Sequence, residues 1–348
     1  MSTIDCPERI ACDDFFSNTP EPSNSKEVAS KLDEFLLTFN DGGDRENLKI
    51  AFVTSGGTSA PLEKPPMAVR FLDNFSSGTR GAALAEYFSK EGYAVVSLRR
   101  TGSKEPFFRR CKRLFAKVEA SMSMDFLSMF DENKDDAAVV TVEQNRIEMT
   151  EFLKSVQADR RAANTQHGFL SIEFTTVYEY LHYLRLISEK LNERRKQVII
   201  VHAAAVSDFY VPWNELPTHK IQSNALEMSG NLFANFSSTP KMLRMCRDIW
   251  APEAFCVSFK LETDQSIIEK KTLAAMRKYN MHCIVANELN KRYDEVILFQ
   301  RRNCEDREAV AIDTLRIQRD KDEDDIEKQL VKELRRRHEF HINNRVEN

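Results

Sequence analysis

The sequence predicts an α/β protein: a Rossmann-like, open, mainly parallel sheet with helices on both faces and a small β-ribbon extension. Three observations carry this expectation. Short apolar runs suited to buried strands alternate along the chain with segments of helical periodicity. The first run, Ile50 to Val53, leads through Gly-rich turns and an amphipathic helix to a second, Tyr93 to Leu98. That strand–helix–strand unit implies parallel pairing with a right-handed crossover. Finally, 348 residues with 42% hydrophobic content can build a sizeable core.

The chain is organised around residues 50–92. Ser55-Gly56-Gly57-Thr58 leaves the first strand at once, and its glycines permit positive φ and expose backbone N–H groups. Arg70 to Gly81 follows, in which Ser76 or Ser77 is placed to cap a helix beginning near Gly78. Gly81, Leu84, Ala85 and Phe88 form its apolar stripe, and Gly92 stops it. Two Gly-rich turns thus meet at one helix N-terminus, where a nucleotide phosphate is expected to sit. Neither G-x-G-x-x-G nor G-x-x-x-x-G-K-[ST] is present, and an ordinary tight turn in which Gly56, Gly57 and Gly78 merely allow close packing is an equal alternative.

Taken in order, residues 1–25 read as an acidic, mobile tail, and residues 26–348 as one α/β domain. Glu27 to Phe39 has helical spacing. The basic run Arg99 to Arg113 resembles a solvated loop more than a nucleic-acid contact. An insertion spans about 103–168, with a helix expected between Val142 and Val156. Phe169 to Phe174 reads as a strand, and Thr175 or Thr176 as the cap of a helix lined by Val177, Leu181, Leu184, Ile187 and Leu191. Gln197 to Val201 is a strand that exits into His202-Ala203-Ala204-Ala205-Val206-Ser207-Asp208. Small residues there admit a ligand, and Asp208 is either functional or a turn acid. Lys220 is either a phosphate neutraliser or a surface residue. Residues 224–238 suggest a β-ribbon, and Pro240 to Trp250 a helix. Strands follow at Phe255 to Lys260 and Cys283 to Ala286, with an Asp264-capped helix between them. A hairpin is expected from Glu295 to Gln300 and Ala309 to Ile312, and a terminal helix from Asp322 to His338, whose Arg335-Arg336-Arg337 run suits its C-terminal dipole end.

Several function classes are disfavoured. A net charge of −4 exerts no global pull on nucleic acid or anionic membrane, and no apolar run approaches the roughly 18 residues of a membrane span. Seven scattered cysteines without C-x-x-C argue against zinc or a disulfide framework, and residues 1–20 lack a signal-peptide pattern; a reducing, cytoplasmic setting is expected. The seven histidines show no metal spacing, and His202 reads as a satisfied core residue. There is no G-x-S-x-G nucleophile elbow. Glycines, asparagines, one lysine and one aspartate at strand ends suit phosphoryl chemistry by electrostatic stabilisation rather than acyl-enzyme chemistry.

Eight segments together resemble the phosphopantothenate–cysteine ligases of coenzyme A biosynthesis, in their eukaryotic form. They are VTSGGT (Val53–Thr58), PLE (Pro61–Glu63), VRFLDNFSSGTRG (Val69–Gly81), IEFTT (Ile172–Thr176), AAAVSDFYVP (Ala203–Pro212), HKIQS (His219–Ser223), SFKLETD (Ser258–Asp264) and VANEL (Val285–Leu289), in the family's order. The resemblance implies activation of the 4′-phosphopantothenate carboxylate as an acyl adenylate with ATP and Mg²⁺, then amide formation with cysteine. It implies that Gly56, Ser76, Gly78 and Gly81 cradle the triphosphate, while Phe259 and Asn287 hold the base and sugar end. Asn74 would bond the carboxylate and acyl phosphate, and Ala204, Ala205 and Asp208 would line the phosphopantothenate pocket. Lys220 would stabilise charge in the adenylation half. Arg70 would reach the substrate phosphate from the other subunit of a homodimer, making the extension a dimerisation element; the alternative is that Arg70 stays in its own chain and makes an internal ion pair. The competing class is a non-catalytic nucleotide-binding regulatory subunit on the same fold. An NAD-type oxidoreductase is disfavoured by the missing fingerprint.

Overall fold

The computed structural model describes residues 7–38, 48–110, 150–221, 235–301 and 312–344. The chain opens with helices α1 (Pro7–Asn18) and α2 (Ser25–Leu37) and then forms strand β1 (Ile50–Ser55). A short ribbon of β2 (Ser59–Pro61) and β3 (Phe71–Asp73) precedes α3 (Thr79–Lys90) and β4 (Ala94–Arg100). Next come β5 (Phe169–Phe174), α4 (Val177–Leu191), β6 (Val198–His202), β7 (Phe209–Tyr210) and β8 (Ser237–Ser238). The chain continues through β9 (Phe255–Glu262), α5 (Gln265–Tyr279), β10 (Cys283–Glu288), β11 (Glu295–Arg301), β12 (Ile312–Gln318) and α6 (Glu327–Asn343).

Eight strands form one sheet in the order β12-β11-β10-β9-β6-β1-β4-β5. The six from β10 to β5 pair in parallel, and β11 and β12 add an antiparallel hairpin at one edge. β1 and β6 are buried throughout, as strands covered on both faces must be, so their sequences are near-continuous apolar runs. In β1, Ile50 and Phe52 face a core with α1, α2, α4 and α5, while Ala51 and Val53 face the core of α3 and α6. From β1 the chain moves outward through β4 and β5, then returns to the other side of β1 to lay down β6, β9 and β10. The strand order therefore reverses between β1 and β6, and ligands of open α/β sheets bind beyond the carboxyl ends of strands at such a point.

Caps follow the sequence where it is explicit. Thr176 and Glu179 form a reciprocal capping box on α4, and the Asp264 carboxylate accepts from Ser266 N at 2.8 Å to start α5. Other expectations are corrected. Within the supposed mobile tail, residues 7–18 are helical, with Cys12 and Phe15 buried and Phe15 stacked on Tyr178. The acidic composition hides an i, i+3, i+4 stripe of Cys12, Phe15 and Phe16. The basic run is no free loop: Arg109 is buried, bound to Glu86 at 2.7 Å and to both Asp325 oxygens, and so ties the segment after β4 to the start of α6. The arginine run of α6 lies mid-helix, since the helix continues to Asn343, and pairs with Glu91, Glu333 and Glu339. Pro240 does not begin a regular helix; one α turn at Leu243–Met245 passes into a π turn at Cys246–Trp250. The second strand of the expected edge hairpin is Ile312–Gln318; of the ribbon expected over 224–238 only the end is described, where β8 pairs with β7 at Phe209–Tyr210, upstream of the expected span; and residues 224–234, 142–149 and 309–311 lie outside the described residues.

Beneath the amino-terminal edge of the sheet, three histidines cluster. His282 accepts from Cys256 N at 3.0 Å, His338 bonds Tyr93 Oη at 2.9 Å and the Lys196 carbonyl at 2.9 Å, and His341 donates to the Glu253 carbonyl at 2.8 Å. Burial lowers all three pKa values, His338 to about 3, and the nearby Arg247, Arg301 and Lys49 push the same way. A folded pKa below the unfolded one means that the unfolded chain binds more protons between the two. Stability is therefore expected to be full above about pH 6.5 and to fall as the pH drops below it, by up to about 1.4 kcal/mol per pH unit for each proton taken up. Thermal melts between pH 7 and pH 4.5, above the main carboxylate range, should show a falling midpoint; a flat profile would contradict this account.

Candidate functional site

The turns leaving β1 and β6 lie against one another at the switch point. Ala205 N donates to the Gly56 carbonyl at 2.8 Å, and Thr58 N to the Ala205 carbonyl at 3.0 Å. The Thr54 hydroxyl accepts from Ala204 N at 3.1 Å, and that of Thr58 from Ser207 N at 2.9 Å. Thr54 and Thr58 thus satisfy the backbone of a segment that has left its strand. The β3–α3 turn closes over the same point. A Cβ on Gly57 would stand 1.8 Å from the Asn74 carbonyl oxygen, so only glycine permits this approach.

Gly78, at φ 73°, is the N-cap of α3, and no side chain caps the helix. The expected serine cap is absent. Ser76 Oγ accepts from Gly78 N at 3.4 Å, and the Ser77 hydroxyl pairs with that of Thr79. Among the described residues the first-turn N–H groups of α3 have no side-chain acceptor, and the helix dipole adds to their attraction for an anion. Gly81 packs behind them, where a Cβ would meet the Ser55 side chain at 2.4 Å.

A cleft opens directly over this helix start. Its walls include Ser76, Ala204, Ala205, Phe259 and Asn287, so five of the expected residues from four separated segments converge there. The expected glycines do not line it: Gly56 lies against Arg100 and Ser103, Gly78 against Ser103 and Ser55, and Gly81 against Ser55. Arg80, Arg292 and Tyr293 complete the wall and were not anticipated. Arg80 lies 5.5 Å over the Phe259 ring and 3.6 Å from Glu327 at the start of α6. Its presence in SSGTRG was the available signal, but nothing in the sequence placed the residues of 292–293 nearby.

The other expected residues stand outside this cleft wall. Arg70 Nη1 pairs with Glu63 Oε1 at 2.8 Å, and the Glu63 side chain is fully buried. That carboxylate also accepts from Val69 N, Arg70 N and Ile221 N at 3.0–3.3 Å. Desolvation opposes its charge, yet these hydrogen bonds outweigh it and hold the carboxyl below the usual range. Glu63 therefore joins the segment of Arg70 to that of Lys220, whose side chain is exposed. Asp208 is exposed and pairs with Lys241 at 2.5 Å. Asn74 is half-buried at the ribbon end, its N–H donating to the Thr58 carbonyl at 3.2 Å. His202 is buried as expected but not satisfied: neither ring nitrogen has a partner among the described residues.

Comparison with known proteins adds the chemistry. The family model of the DNA/pantothenate metabolism flavoprotein C-terminal domain matches residues 47–143 and 174–312. Phosphopantothenate–cysteine ligase 2 of rice is 38% identical over 329 residues, covering 94% of this chain and 92% of its own. The human phosphopantothenate–cysteine ligase is 38% identical over 280 residues, covering 80% and 83%. Among solved structures, a mutant of Cab2 in complex with phosphopantothenate-cysteine superposes with a TM-score of 0.69 at 31% identity, covering 95% of this chain and 98% of that one.

The packing of Gly81 generates a test of the cleft. Gly81→Ala should push α3 away from Ser55 and weaken nucleotide binding at least about tenfold, an overpacking cost of the usual size. Adding Ser55→Gly should recover part of the loss. Titration calorimetry with a non-hydrolysable nucleotide checks both; unchanged affinity in Gly81→Ala would place the phosphates elsewhere.

Proposed function

Because the chain belongs to the phosphopantothenate–cysteine ligase family, enzymes of coenzyme A biosynthesis, we propose that its cleft runs the ligation in two halves. In the first, the carboxylate of 4′-phosphopantothenate attacks the α-phosphorus of ATP, and pyrophosphate leaves as the acyl adenylate forms. In the second, the cysteine amine attacks the acyl carbon, a C–N bond replaces the C–O bond to phosphate, AMP departs with the electron pair, and a proton is released. The observation that carries this reading is the uncapped start of α3 facing a cleft whose far wall is Phe259 and Asn287.

The roles are those the family resemblance implies, and the positions of Ser76, Ala204, Ala205, Phe259 and Asn287 on the cleft wall support them. N–H groups of Gly78 to Gly81, with the Ser76 hydroxyl, cradle the triphosphate, and the Gly56 turn admits it. Phe259 and Asn287 hold the base and sugar. Mg²⁺ enters as part of the nucleotide substrate and neutralises the triphosphate. Ala204, Ala205 and Asp208 line the phosphopantothenate path. Asn74 donates to the carboxylate and its acyl phosphate, and Lys220 opposes the charge that grows during adenylation. Glu63 accepts only one terminal nitrogen of Arg70 among its bonds to that side chain, and a guanidinium has five N–H donors. Arg70 is thereby oriented rather than consumed, and it serves the substrate phosphate of a second copy. Met67, Val69, Phe71, Leu72 and Phe75 are 40–97% exposed around it, an apolar face suited to a homodimer contact.

Three measurements test this reading. A single-turnover burst of pyrophosphate without cysteine should require both phosphopantothenate and a nucleotide, and in the complete reaction ATP should give the higher kcat/KM; a preference for CTP would overturn the nucleotide assignment. Asn74→Ala and Lys220→Ala should each lower kcat by about 10²–10³ with less change in KM, as for loss of one donor to transition-state charge. Near-normal turnover in either would remove its role. Arg70→Ala and Asn74→Ala should each be nearly inactive alone, but mixed dimers should regain activity, because one site then carries both defects and the other none. No recovery after verified subunit exchange would contradict the shared site.

A further inference from the structure

A second pocket lies on the opposite side of the β6 and β9 ends from α3. Its walls come from α4, β6, the Thr239–Leu243 turn, β9 and α5. Ala204 and Phe259 line both this pocket and the nucleotide cleft, so the two meet at the ends of β6 and β9.

The pocket wall holds two buried polar side chains whose hydrogen-bonding capacity is unused. His202 is 6% exposed, and among the described residues neither Nδ1 nor Nε2 has a partner. Thr239 is 2% exposed, and its Oγ1 has none among the described residues either. They come from different segments, one at the end of β6 and one in the turn after β8, and both line the same space. Orphaned buried polar groups are costly, and a structure that keeps two of them on one cavity has a reason to do so. Burial pushes His202 down to about 4, so at neutral pH its imidazole offers one N–H donor and one acceptor nitrogen.

The rest of the lining defines the ligand. Leu181, Leu184 and Ile284 make part of the wall apolar, which suits a soft, weakly hydrated group. Lys241 and Lys260 bring positive charge, each balanced by one acid, Asp208 and Glu262. Such a space fits a small molecule with an anionic end, a polarisable body and one hydrogen-bonding group. Resting on the ligase reading above, we propose that this pocket holds the cysteine substrate of the second half-reaction. Its thiol lies against His202 and Thr239, its carboxylate faces Lys241 and Lys260, and its amine points past Ala204 towards the acyl group in the cleft.

Two variants with paired assays test the assignment. His202→Leu and Thr239→Val each remove the hydrogen-bonding group while keeping the volume close to the original. Each should raise KM for cysteine at least tenfold. Phosphopantothenate-dependent pyrophosphate release, assayed without cysteine, and KM for ATP should stay near normal. His202→Gln, which keeps a donor and an acceptor, should recover part of the cysteine affinity. The thermal midpoint of His202→Leu should be unchanged or higher, since an unsatisfied polar group is gone, and this shows that any KM effect is not a folding defect. An unchanged KM for cysteine in both variants, with normal pyrophosphate release, would overturn the pocket assignment alone. If the unmodified protein released no pyrophosphate with phosphopantothenate and ATP, the ligase reading itself would fail, and the pocket assignment with it.

Discussion

The contact on which the site depends is the approach of the Gly57 backbone to the carbonyl of Asn74. With no side chain between them, the turn after β1 and the turn before α3 lie in direct contact, and a Cβ at Gly57 would stand 1.8 Å from the carbonyl oxygen. That proximity fixes three things together. It sets the height of the α3 start above β1, it brings Ser76 and Gly78 over the end of the sheet, and it places Asn74 beside the turn that leaves β6. The bridges between Gly56, Thr58 and Ala205 then lock the β6 turn into the same layer. A helix dipole alone attracts anions weakly in water; here an uncapped helix start is held rigidly in a partly enclosed cleft, where the same partial charges act more strongly.

A buried carboxylate does comparable work one layer further out. Glu63 is closed off from water, and a charge there is tolerated only because Val69, Arg70 and Ile221 donate to it. Its bonds reach both strands' ends of the β2–β3 ribbon and the segment carrying Lys220. Two cations assigned to different substrate groups are thus referred to one fixed point. The same logic appears at Asp325, where Arg109 and Tyr87 converge and burial is offset by their hydrogen bonds. In both places ionised groups join segments distant in the chain.

Much of this was legible from the residues. Buried parallel strands announce themselves as short apolar runs, and the Thr176–Glu179 box and Asp264 mark helix starts by side-chain chemistry that acts locally. The glycines of the β1 and α3 turns were visible for the same reason. What escaped was set by contacts between distant segments. The α1 stripe of Cys12 and Phe15 becomes apolar surface to be covered only once α4 and its Tyr178 are alongside. Arg109 looked solvated because its partners, Glu86 and Asp325, are 23 and 216 residues away. A serine beside Gly78 suggested a cap, but the left-handed conformation of Gly78 itself ends the turn. His202 was placed correctly in the core, yet its lack of partners is a property of the β6–α4–Thr239 packing and cannot be read from sequence. The cleft residues Arg292 and Tyr293 arrive through the β10–β11 connection, which carries no motif.

The central claim is that nucleotide seats on the α3 start at the β1–β6 switch point. Amide hydrogen exchange with and without a non-hydrolysable ATP analogue measures this directly, because bound phosphate oxygens would engage those N–H groups and slow their exchange. The account predicts new protection concentrated in residues 76–82, with lesser protection in 203–206 and 287–289. Protection confined to other segments, or none at saturating nucleotide, would contradict it.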